Sequence, residues 1–301
     1  MEHYSELQTH YQTWLKTLGF SESIVYSYPG MVYYFLKYLE DKGINHITQI
    51  TNRDIHDYFT HLQTRRSMRK NSTLSIAHLN KSFDATDKFL EFLNQMECPN
   101  IPPPTHYRIL ETKNQIMQKV KVLTQKEIQT IYQSIPKLFA HFTQKEAQPR
   151  QAIATLVLDL CYGCGLRKSE ACNVLVDDID LDKKILFVRQ AKGYKDRYVP
   201  LSETINERIK VFIYQYRKHF NVKHRRLFPL VSGTMYYYIK NLRSVSGLSA
   251  DFGLHTLRHS IATHLLQNGM SMEQIARFLG HSTLDSTQVY THLIHSDNDE
   301  L

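Results

Sequence analysis

The sequence predicts a mainly α-helical protein that contains one small β-hairpin and is divided into two domains. Apolar residues recur every three or four positions through most of the chain, and this spacing is typical of helices that bury one face. Two short runs of strand-forming residues flank a glycine-containing turn near residue 193, which favours a hairpin. A proline-rich stretch at 98–104 separates two long helical regions, because proline is excluded from helix interiors and central strands.

Residues 1–96 are predicted to form a domain of four helices. Ser21 is the expected cap of the second helix, and the Pro-Gly pair at 29–30 should kink or interrupt that helix. Residues 51–54 have the composition of an N-terminal cap for the third helix. The Asn-Ser pair at 71–72 is the expected cap of the fourth helix, which is long and ends near residue 96.

Residues 97–120 are predicted to be a linker that is extended at first and basic towards its end. A linker of this length would let two domains bind opposite sides of a rod-like ligand. The second domain, 121–301, begins with a capping-box pattern at 124–127. Residues 136–149 are polar and predict a loop, and a buried helix is expected from about 152 to 162 because it is apolar nearly all round.

The middle of the second domain is predicted to contain the hairpin and two further helices. Residues 185–188 and 197–199 are the expected strands, and 201–245 should form two helices rich in Arg, Lys and Tyr. A helix beginning near residue 254 then presents His255 and Arg258 on one face, because residues three apart are neighbours on a helix.

The charge of the chain is strongly uneven. Residues 1–100 hold 10 Lys and Arg against 11 Asp and Glu, whereas residues 101–301 hold 27 against 18. The net charge of +8 therefore resides in the second part of the chain. Such an excess favours a polyanionic partner such as nucleic acid, although a soluble protein that is merely basic would show it too.

Other classes of protein fit the sequence poorly. The chain has no apolar run near the roughly 20 residues that a membrane span requires, so no membrane association is expected. Its first residues lack the pattern of a secretory signal, and four cysteines in 301 residues do not form a disulfide framework. We therefore expect a cytoplasmic protein.

Several side chains suit chemistry on a phosphodiester. The guanidinium of Arg258 can bind two phosphate oxygens and stays charged at any useful pH, and His255 is suited to proton transfer. Tyr290 follows in the sequence as a candidate nucleophile. Arg167 and Glu170 form another pair at a spacing of three, although such pairs are commonplace on protein surfaces and contribute little there.

Other basic residues have equally ordinary interpretations. Lys192 is expected at the hairpin tip, where a lysine either reaches across a groove or is simply solvated. Candidate DNA-binding residues lie in the loop before the fourth helix and in the linker: Arg65, Arg66, Arg69, Lys70, Lys119 and Lys121. Taken alone, the loop cluster is slightly more typical of a solvated loop.

Five motifs, taken together, resemble the tyrosine recombinase (phage integrase) family in order and spacing. They are 165–170 (Gly-Leu-Arg-Lys-Ser-Glu), 191–193 (Ala-Lys-Gly), 255–259 (His-Thr-Leu-Arg-His), 279–281 (Leu-Gly-His) and Tyr290. The stretch 289–292, Val-Tyr-Thr-His, also resembles the bacterial Xer-type branch. Each motif is weak by itself, but five in sequence are very specific.

The resemblance implies a fold and a set of roles. The fold would be an N-terminal four-helix core-binding (SAM-like) domain at 1–96, joined through the linker to a catalytic domain at 121–301. Arg167 and Arg258 match the family's catalytic arginines, Glu170 the acidic residue that supports the first arginine, and Lys192 the hairpin lysine. His255 and His281 match its catalytic histidine positions, and Tyr290 matches its nucleophile.

The resemblance also implies a site-specific recombinase that cleaves and rejoins DNA through a covalent 3′-phosphotyrosine. The reaction would serve integration, excision, inversion or dimer resolution, on paired sites bound by a homotetramer. No metal or other cofactor is expected, because the arginines would supply the positive charge that a metal ion otherwise provides.

Three alternatives remain open at the level of sequence. His255 and His259, with His264 and His281, would be ligands of a zinc hydrolase, but the segment lacks the glutamate that zincins use as a base. Cys161 and Cys164 would form a redox or zinc pair, although small buried residues are a simpler interpretation. A sequence-specific DNA-binding regulator without catalysis explains the charge but not the full set of catalytic residue types.

Overall fold

The computed structural model describes residues 2–66, 72–111, 121–189, 196–220, 225–228, 232–249 and 252–281, with only the backbone described for 2–5 and 232. The chain divides into two compact units, Met1–Thr112 and Lys113–Leu301. The described residues are mostly helical and include one antiparallel sheet in the order β1-β2-β3. The predicted fold class is therefore confirmed.

The described part of the first unit contains four α-helices around an aromatic core. These are α1 Glu2–Thr17, α2 Glu22–Asp41, α3 Asn52–Thr64 and α4 Ile76–Gln95. Tyr11 packs on Phe89 with ring centroids 5.4 Å apart, and Phe59 packs on Phe83 at 4.3 Å. Such ring pairs supply both burial and specific geometry in a small core.

The helix boundaries of the first unit follow the sequence in part. Thr51 and Asp54 form the predicted cap, in which the Thr51 N–H donates to the Asp54 carboxylate over 2.9 Å. The fourth helix begins later than predicted, because its N-cap is Ser75, whose hydroxyl accepts from the N–H of His78 over 3.3 Å. Pro29 lies inside α2, which continues through it without a break in the assigned helix.

Residues 97–111 belong to the first unit, so the prediction of a linker starting at residue 97 is wrong for this part. The carboxylate of Asp87, which is buried in α4, accepts from the backbone N–H groups of Thr105 and His106 over 2.8 and 2.9 Å. Arg108 donates to Asp84, one turn earlier on the same helix, over 2.6 Å. The rest of the predicted linker, 112–120, lies outside the described residues.

The second unit contains the sheet and its own set of helices. They are α5 Gln125–Leu138, α6 Gln144–Leu158, α7 Lys168–Asn173, β1 Ile179–Asp180, β2 Ile185–Val188, β3 Arg197–Pro200, α8 Glu203–Val211, α9 Ser232–Ser246, α10 Leu254–Gln267 and α11 Met272–Leu279. A π-helical turn, Asp159–Gly163, follows α6 directly. No helix in the described part of the chain combines the length and the apolar character that crossing a bilayer requires.

The polar stretch 136–149 is not the loop that the sequence predicts. Its second half is the beginning of α6, where the N–H of Thr143 donates to the Glu146 carboxylate over 3.2 Å and the hydroxyl donates over 2.8 Å. The capping pattern predicted for Thr124 is confirmed, since its N–H donates to the Glu127 carboxylate over 2.8 Å. Both helices thus begin with a local exchange of hydrogen bonds that satisfies free backbone N–H groups.

The two predicted strands pair as expected, and a short strand β1 adds to them. In the register of β2 and β3, Leu186 lies opposite Val199, and Val188 lies opposite Arg197. These four residues are all buried, whereas Tyr198, between two of them, is 70% exposed. Arg197 therefore lies on the inward face of the sheet. The hairpin turn at 190–195 lies outside the described residues.

The connection from α6 to α7 approaches α11 closely. Gly165 has a φ of +59°, and a Cβ there would lie 2.8 Å from Leu279 Cδ2 and 2.9 Å from Phe278 Cε1. The left-handed backbone and the missing side chain are both needed at this point. The contact brings the start of α7 and the end of α11 together.

Candidate active site

Glu170 in α7 lies at the centre of a group of three arginines. The Nη1 of Arg167 donates to its Oε1 over 2.8 Å. Arg197 donates with Nη1 to Oε1 over 3.2 Å and with Nη2 to Oε2 over 2.9 Å. The Nη1 of Arg258 lies 3.7 Å from Oε2. These four residues are called the Glu170 cluster below.

The cluster is buried, and its charges depend on one another. Glu170, Arg197 and Arg258 are 8%, 8% and 5% exposed, respectively. Burial by itself raises the pKa of Glu170, but the hydrogen bonds and charge of Arg197, with those of Arg167, outweigh it and lower the pKa to about 2. Glu170 is therefore a carboxylate at any physiological pH, and it partly neutralises the surrounding guanidiniums.

The three arginines also bind the carboxyl end of α11. Arg197 donates to the carbonyl oxygen of Phe278 over 2.8 Å. Arg258 donates to that of Leu279 over 2.7 Å. Arg167 donates to that of Gly280 over 3.1 Å. Carbonyls at the end of a helix have no partner within the helix and carry the negative end of its dipole, so cations are favourable there. The Nη1 of Arg258 also donates to the carbonyl of Gly165.

His281 is held directly behind this helix end. Gly280 ends α11 with a φ of +68°, and the N–H of His281 donates back to the carbonyl of Ala276 over 2.9 Å. Burial, and then the positive charges of Arg258 and Arg167, lower the pKa of His281 to about 4. The imidazole is therefore neutral near pH 7 and can donate only one hydrogen bond at a time.

His255 lies on the exposed side of α10, one turn before Arg258. Partial desolvation, followed by the charges of Arg258, Lys168 and Arg167, lowers its pKa. His259 lies one turn after His255. Burial, and then the electrostatic effect of His255, lower the pKa of His259 to about 4. A neutral imidazole has a free ring nitrogen that can accept a proton, although the neighbouring cations make it a weaker base.

The structure brings together four residues that the sequence singled out: Arg167, Glu170, Arg258 and His281. His255 is close enough to both arginines for their charges to lower its pKa. Two predicted residues, Lys192 and Tyr290, lie outside the described residues. The same holds for Arg69, Lys70 and Lys119 of the predicted basic segments.

The described members of those basic segments have ordinary surroundings. Arg65 stacks its guanidinium on Tyr34, with 4.5 Å between its central carbon and the ring centroid. Arg66 lies in an isolated β-bridge with Thr73, and Lys121 is exposed. Their part in DNA binding stays a prediction.

Sequence reasoning missed Arg197. Its position in the sequence could have revealed it. Successive side chains of a strand point to opposite faces of the sheet, so in the predicted strand 197–199 Arg197 lies on the same face as the apolar Val199. A charged residue in phase with the apolar face of a strand implies a buried partner. That partner is Glu170, 27 residues earlier in the chain.

The residues behind the alternative interpretations are accounted for by packing. Burial raises the pKa of the Cys161 thiol to about 12 and also raises that of Cys164, so both remain protonated. The Nδ1 of His264 lies 3.0 Å from the hydroxyl of Tyr162. Within the described ranges, no group of three or more His, Cys, Asp or Glu side chains is arranged to hold a metal ion.

Solved structures share this fold over most of the chain. XerH site-specific recombinase bound to palindromic difH substrate, in a post-cleavage complex, superposes with a TM-score of 0.70 at 20% identity, covering 92% of this chain and 78% of that one. A lambda integrase dimer bound to a COC′ core site gives a TM-score of 0.63 at 18% identity, covering 94% and 93%. At these identities the likeness concerns the fold alone.

Sequence comparison extends the likeness. The chain is 30% identical over 296 residues to Tyrosine recombinase XerA of Thermococcus onnurineus, covering 97% of this chain and 92% of the relative. It is 26% identical to Tyrosine recombinase XerC of Bacillus subtilis, covering 91% and 87%. The profile of the phage integrase family matches residues 121–296. With more than half of its length matched, the chain belongs to the phage integrase family, whose members named here are tyrosine recombinases.

Proposed function

We propose that this protein is a site-specific DNA recombinase that cleaves and rejoins strands of double-stranded DNA through a covalent 3′-phosphotyrosine. The observation that carries the proposal is the Glu170 cluster. Arg167 and Arg258 are anchored to one buried carboxylate and to the same helix end. Two guanidiniums held beside two neutral histidines suit the binding of one phosphodiester.

The arginines would act on charge. A phosphodiester carries one negative charge that repels a nucleophile, and more negative charge gathers on its non-bridging oxygens in the transition state. Arg167 and Arg258 would neutralise these oxygens. Because their orientation is set by hydrogen bonds before DNA arrives, little reorganisation is needed during the reaction.

The histidines would act as neutral groups. His255, with its lowered pKa, would accept the proton that the Tyr290 hydroxyl loses on attack, since a phenol with an ordinary pKa near 10 is mostly protonated at neutral pH. His281, with a pKa of about 4, would donate a hydrogen bond to a phosphate oxygen. Both imidazoles are neutral at the start of the step, and His255 becomes an imidazolium when it accepts the proton.

The covalent step is balanced without a cofactor. The Tyr290 oxygen forms a bond to phosphorus, the bond from phosphorus to the 5′ oxygen breaks, and Lys192 protonates the departing 5′ oxygen. The phosphotyrosine retains the bond energy, so the 5′ hydroxyl of another strand can displace the tyrosine and restore the DNA. We expect this cycle to proceed without a metal ion.

The proposed partner is double-stranded DNA, bound as paired sites by a homotetramer. The charge of the chain supports a polyanionic partner, since the positive excess is concentrated in residues 101–301. The structural relatives are a XerH site-specific recombinase bound to palindromic difH substrate and a lambda integrase dimer bound to a COC′ core site. Integration, excision, inversion and dimer resolution all use the same strand chemistry.

The proposal is tested with a nicked suicide substrate that traps the covalent adduct. Wild-type protein should form an adduct that resists denaturing electrophoresis and survives EDTA, whereas Tyr290→Phe should bind the DNA and form none. Persistent cleavage by Tyr290→Phe would contradict the assignment of the nucleophile. A wild-type protein that binds its site tightly but never forms an adduct would instead support the alternative, a DNA-binding regulator.

The role of Lys192 has its own test. Lys192→Ala should slow cleavage of ordinary DNA but react well with DNA whose bridging 5′ oxygen is replaced by sulfur, because a thiolate leaves without being protonated. If the sulfur substrate gives no rescue, Lys192 is not the general acid.

A further inference from the structure

Arg197 uses each of its three side-chain nitrogens for a hydrogen bond inside the protein. Its Nε donates to the carbonyl of Phe278 over 2.8 Å, and its two Nη atoms donate to the two carboxylate oxygens of Glu170 over 3.2 and 2.9 Å. Its side chain is only 7% exposed. Arg197 is therefore directed into the protein. The side chain of Arg258 is as deeply buried, at 6% exposed, whereas that of Arg167 is 27% exposed.

Placing an arginine at this buried position costs free energy, which suggests that the residue has a role beyond stability. It stands at the first residue of β3, on the apolar inward face that includes Val199. Burying a guanidinium costs several kcal/mol before pairing returns the energy, and a well-packed apolar side chain often serves stability equally well. What an apolar residue cannot provide is a fixed link between β3, α7 and the end of α11.

Two of these three segments carry a part of the proposed site. The start of α7 holds Arg167 and Glu170, and His281 follows the end of α11 after Gly280. Arg197 is bonded to the first two segments and is itself the first residue of the third.

We propose that Arg197 is a positioning residue for strand cleavage: by holding both oxygens of Glu170 and the carbonyl of Phe278, it fixes the orientation of Arg167 and the place of His281 without touching DNA. This inference rests on the proposed function. Small displacements matter in such a site, since a shift of about 1 Å can reduce a rate about 100-fold.

The bond geometry explains why the residue is an arginine. A planar guanidinium presents parallel N–H groups to both oxygens of a carboxylate and a further N–H to a third acceptor. A lysine keeps the charge but has one nitrogen, which cannot satisfy both oxygens and the carbonyl of Phe278 in the same geometry. Lys at position 197 would preserve the charge balance of the Glu170 cluster and lose its alignment.

Without Arg197, the carboxylate would also be free to change its partners. Three arginines lie next to Glu170: Arg167 at the cap of the same helix, Arg197 in β3 and Arg258 in α10. The protonated thiol of Cys161, in the π-helical turn, is also near. The Nη1 of Arg258 is already 3.7 Å away. A carboxylate released by Arg197 would turn towards Arg258 and withdraw from Arg167, and its pKa would rise because burial is no longer opposed as strongly.

The first experiment measures adduct formation on the suicide substrate by full-length Arg197→Met and Arg197→Lys. Both rates should fall on the order of 10- to 100-fold, while DNA affinity in a binding assay stays within about twofold, because Arg197 does not contact DNA. The matched control is Arg208→Met, which also removes an arginine from a buried carboxylate, Asp159, in the same unit. Its rate should stay within about threefold of wild type.

The second experiment separates positioning from simple support of the fold. Arg197→Met should show an additional loss of rate at acidic pH, beyond the loss that protonation of His255 causes in wild type, because Glu170 then titrates within the measured range. That additional loss should vanish in the Glu170→Gln/Arg197→Met double variant. Removing Arg197 should also cost less in the Glu170→Gln background than in wild type, since only its bond to the Phe278 carbonyl is then left to lose.

The outcomes divide cleanly. Wild-type protein without a Tyr290-dependent adduct contradicts the proposed function, whatever Arg197 does. If wild type forms the adduct, the inference about Arg197 is overturned by unchanged rates, by full rescue in Arg197→Lys, or by a loss that is independent of pH and additive with Glu170→Gln. Thermal unfolding of both single variants below the assay temperature would assign Arg197 to stability alone and would also overturn the inference.

Discussion

Two buried carboxylates in the second unit respond to burial in opposite ways. Glu170 and Asp159 are 8% and 1% exposed, and each binds an arginine. The pKa of Glu170 is lowered to about 2, whereas burial raises the pKa of Asp159 above its ordinary value in spite of the opposing charge of Arg208. Depth alone therefore does not decide whether a buried carboxylate keeps its charge.

The difference lies in how the oxygens are paired. Both oxygens of Glu170 accept hydrogen bonds from guanidiniums, and Oε2 also accepts from the backbone N–H of Arg167 over 2.8 Å. At Asp159 the hydroxyl of Tyr132 and the Nη1 of Arg208 both donate to Oδ1. Among the described residues, Oδ2 has no hydrogen-bond partner. Pairing of both oxygens lowers the pKa of Glu170, whereas at Asp159, with one oxygen unpaired, burial outweighs the charge of Arg208 and raises the pKa.

The largest expected effect comes from removing each carboxylate in turn. Glu170→Ala leaves three guanidiniums without their shared counter-charge, so adduct formation should fall by about 100-fold or more, as when a preorganised electrostatic group is lost. Asp159→Asn should change the rate less than about threefold. Equal losses in the two variants would show that Glu170 acts only as a structural carboxylate. Adduct yield on the suicide substrate, with DNA affinity as the control, measures both.

The next largest effect is expected on stability, in the backbone that joins the two carboxylate regions. Gly165 has a left-handed φ, and a Cβ added there would lie less than 3 Å from atoms of the Leu279 and Phe278 side chains. Gly165→Ala should lower the free energy of unfolding by about 2–3 kcal/mol, from backbone strain together with overpacking. It should also slow cleavage, because the Gly165 carbonyl accepts from Arg258.

Gly247 provides the matched control, since it also has a left-handed φ, +70°, but no atom lies within 4 Å of its would-be Cβ. Gly247→Ala should therefore cost only the backbone contribution, about 1 kcal/mol. Denaturant unfolding of both variants compares the two glycines. If both lose the same stability, close packing at Gly165 plays no part.

The sequence could predict what depends on neighbouring residues. The capping patterns at Thr51 and Thr124 and the paired strands follow from local spacing, and the structure confirms them. The start of α6 was missed because its first turn is polar, and the cap at Thr143 was not recognised as a helix start. Local patterns therefore identified most elements but not every boundary.

The site was predictable only in its residue types. That Arg258 binds the carbonyl of Gly165, 93 residues away, follows from the folded chain and from no local pattern. The partnership of Arg197 with Glu170 has the same origin. The resemblance to a family identified Arg167, Glu170, Arg258, His255 and His281, whose roles, like those of Lys192 and Tyr290, stay predictions. The division at residues 96 and 120 was placed by composition, which does not show that 97–111 packs on α4.

A smaller effect should distinguish the carboxylates by pH. Glu170 has a folded pKa of about 2 against an ordinary 4.5, so its stabilising contribution is present above pH 4.5 and is lost as the pH falls towards 2. Asp159 has a folded pKa above the ordinary 3.8. Its contribution is present below pH 3.8 and is lost as the pH rises through the folded value.

The variants Glu170→Gln and Asp159→Asn should therefore change the pH dependence of the free energy of unfolding in opposite directions. Relative to wild type, Glu170→Gln should be most destabilised near neutral pH and least near pH 2–3. Asp159→Asn should gain stability relative to wild type as the pH rises above about 4. Unfolding by urea at several pH values measures both, and slopes of the same sign would contradict the contrast between the two carboxylates.

The smallest effect concerns the hydroxyl of Tyr132, which donates to Asp159 Oδ1 over 2.8 Å. Tyr132→Phe removes this donor, and among the side chains that the structure describes only Arg208 then remains hydrogen-bonded to Asp159. The free energy of unfolding at neutral pH should fall by about 1 kcal/mol. In the Asp159→Asn background the loss should be smaller, because the hydroxyl then supports no buried charge. A Tyr132→Phe loss of equal size in both backgrounds would mean that the hydroxyl stabilises the fold independently of the charge on Asp159, and the contrast with Glu170 would then rest on the arginines alone.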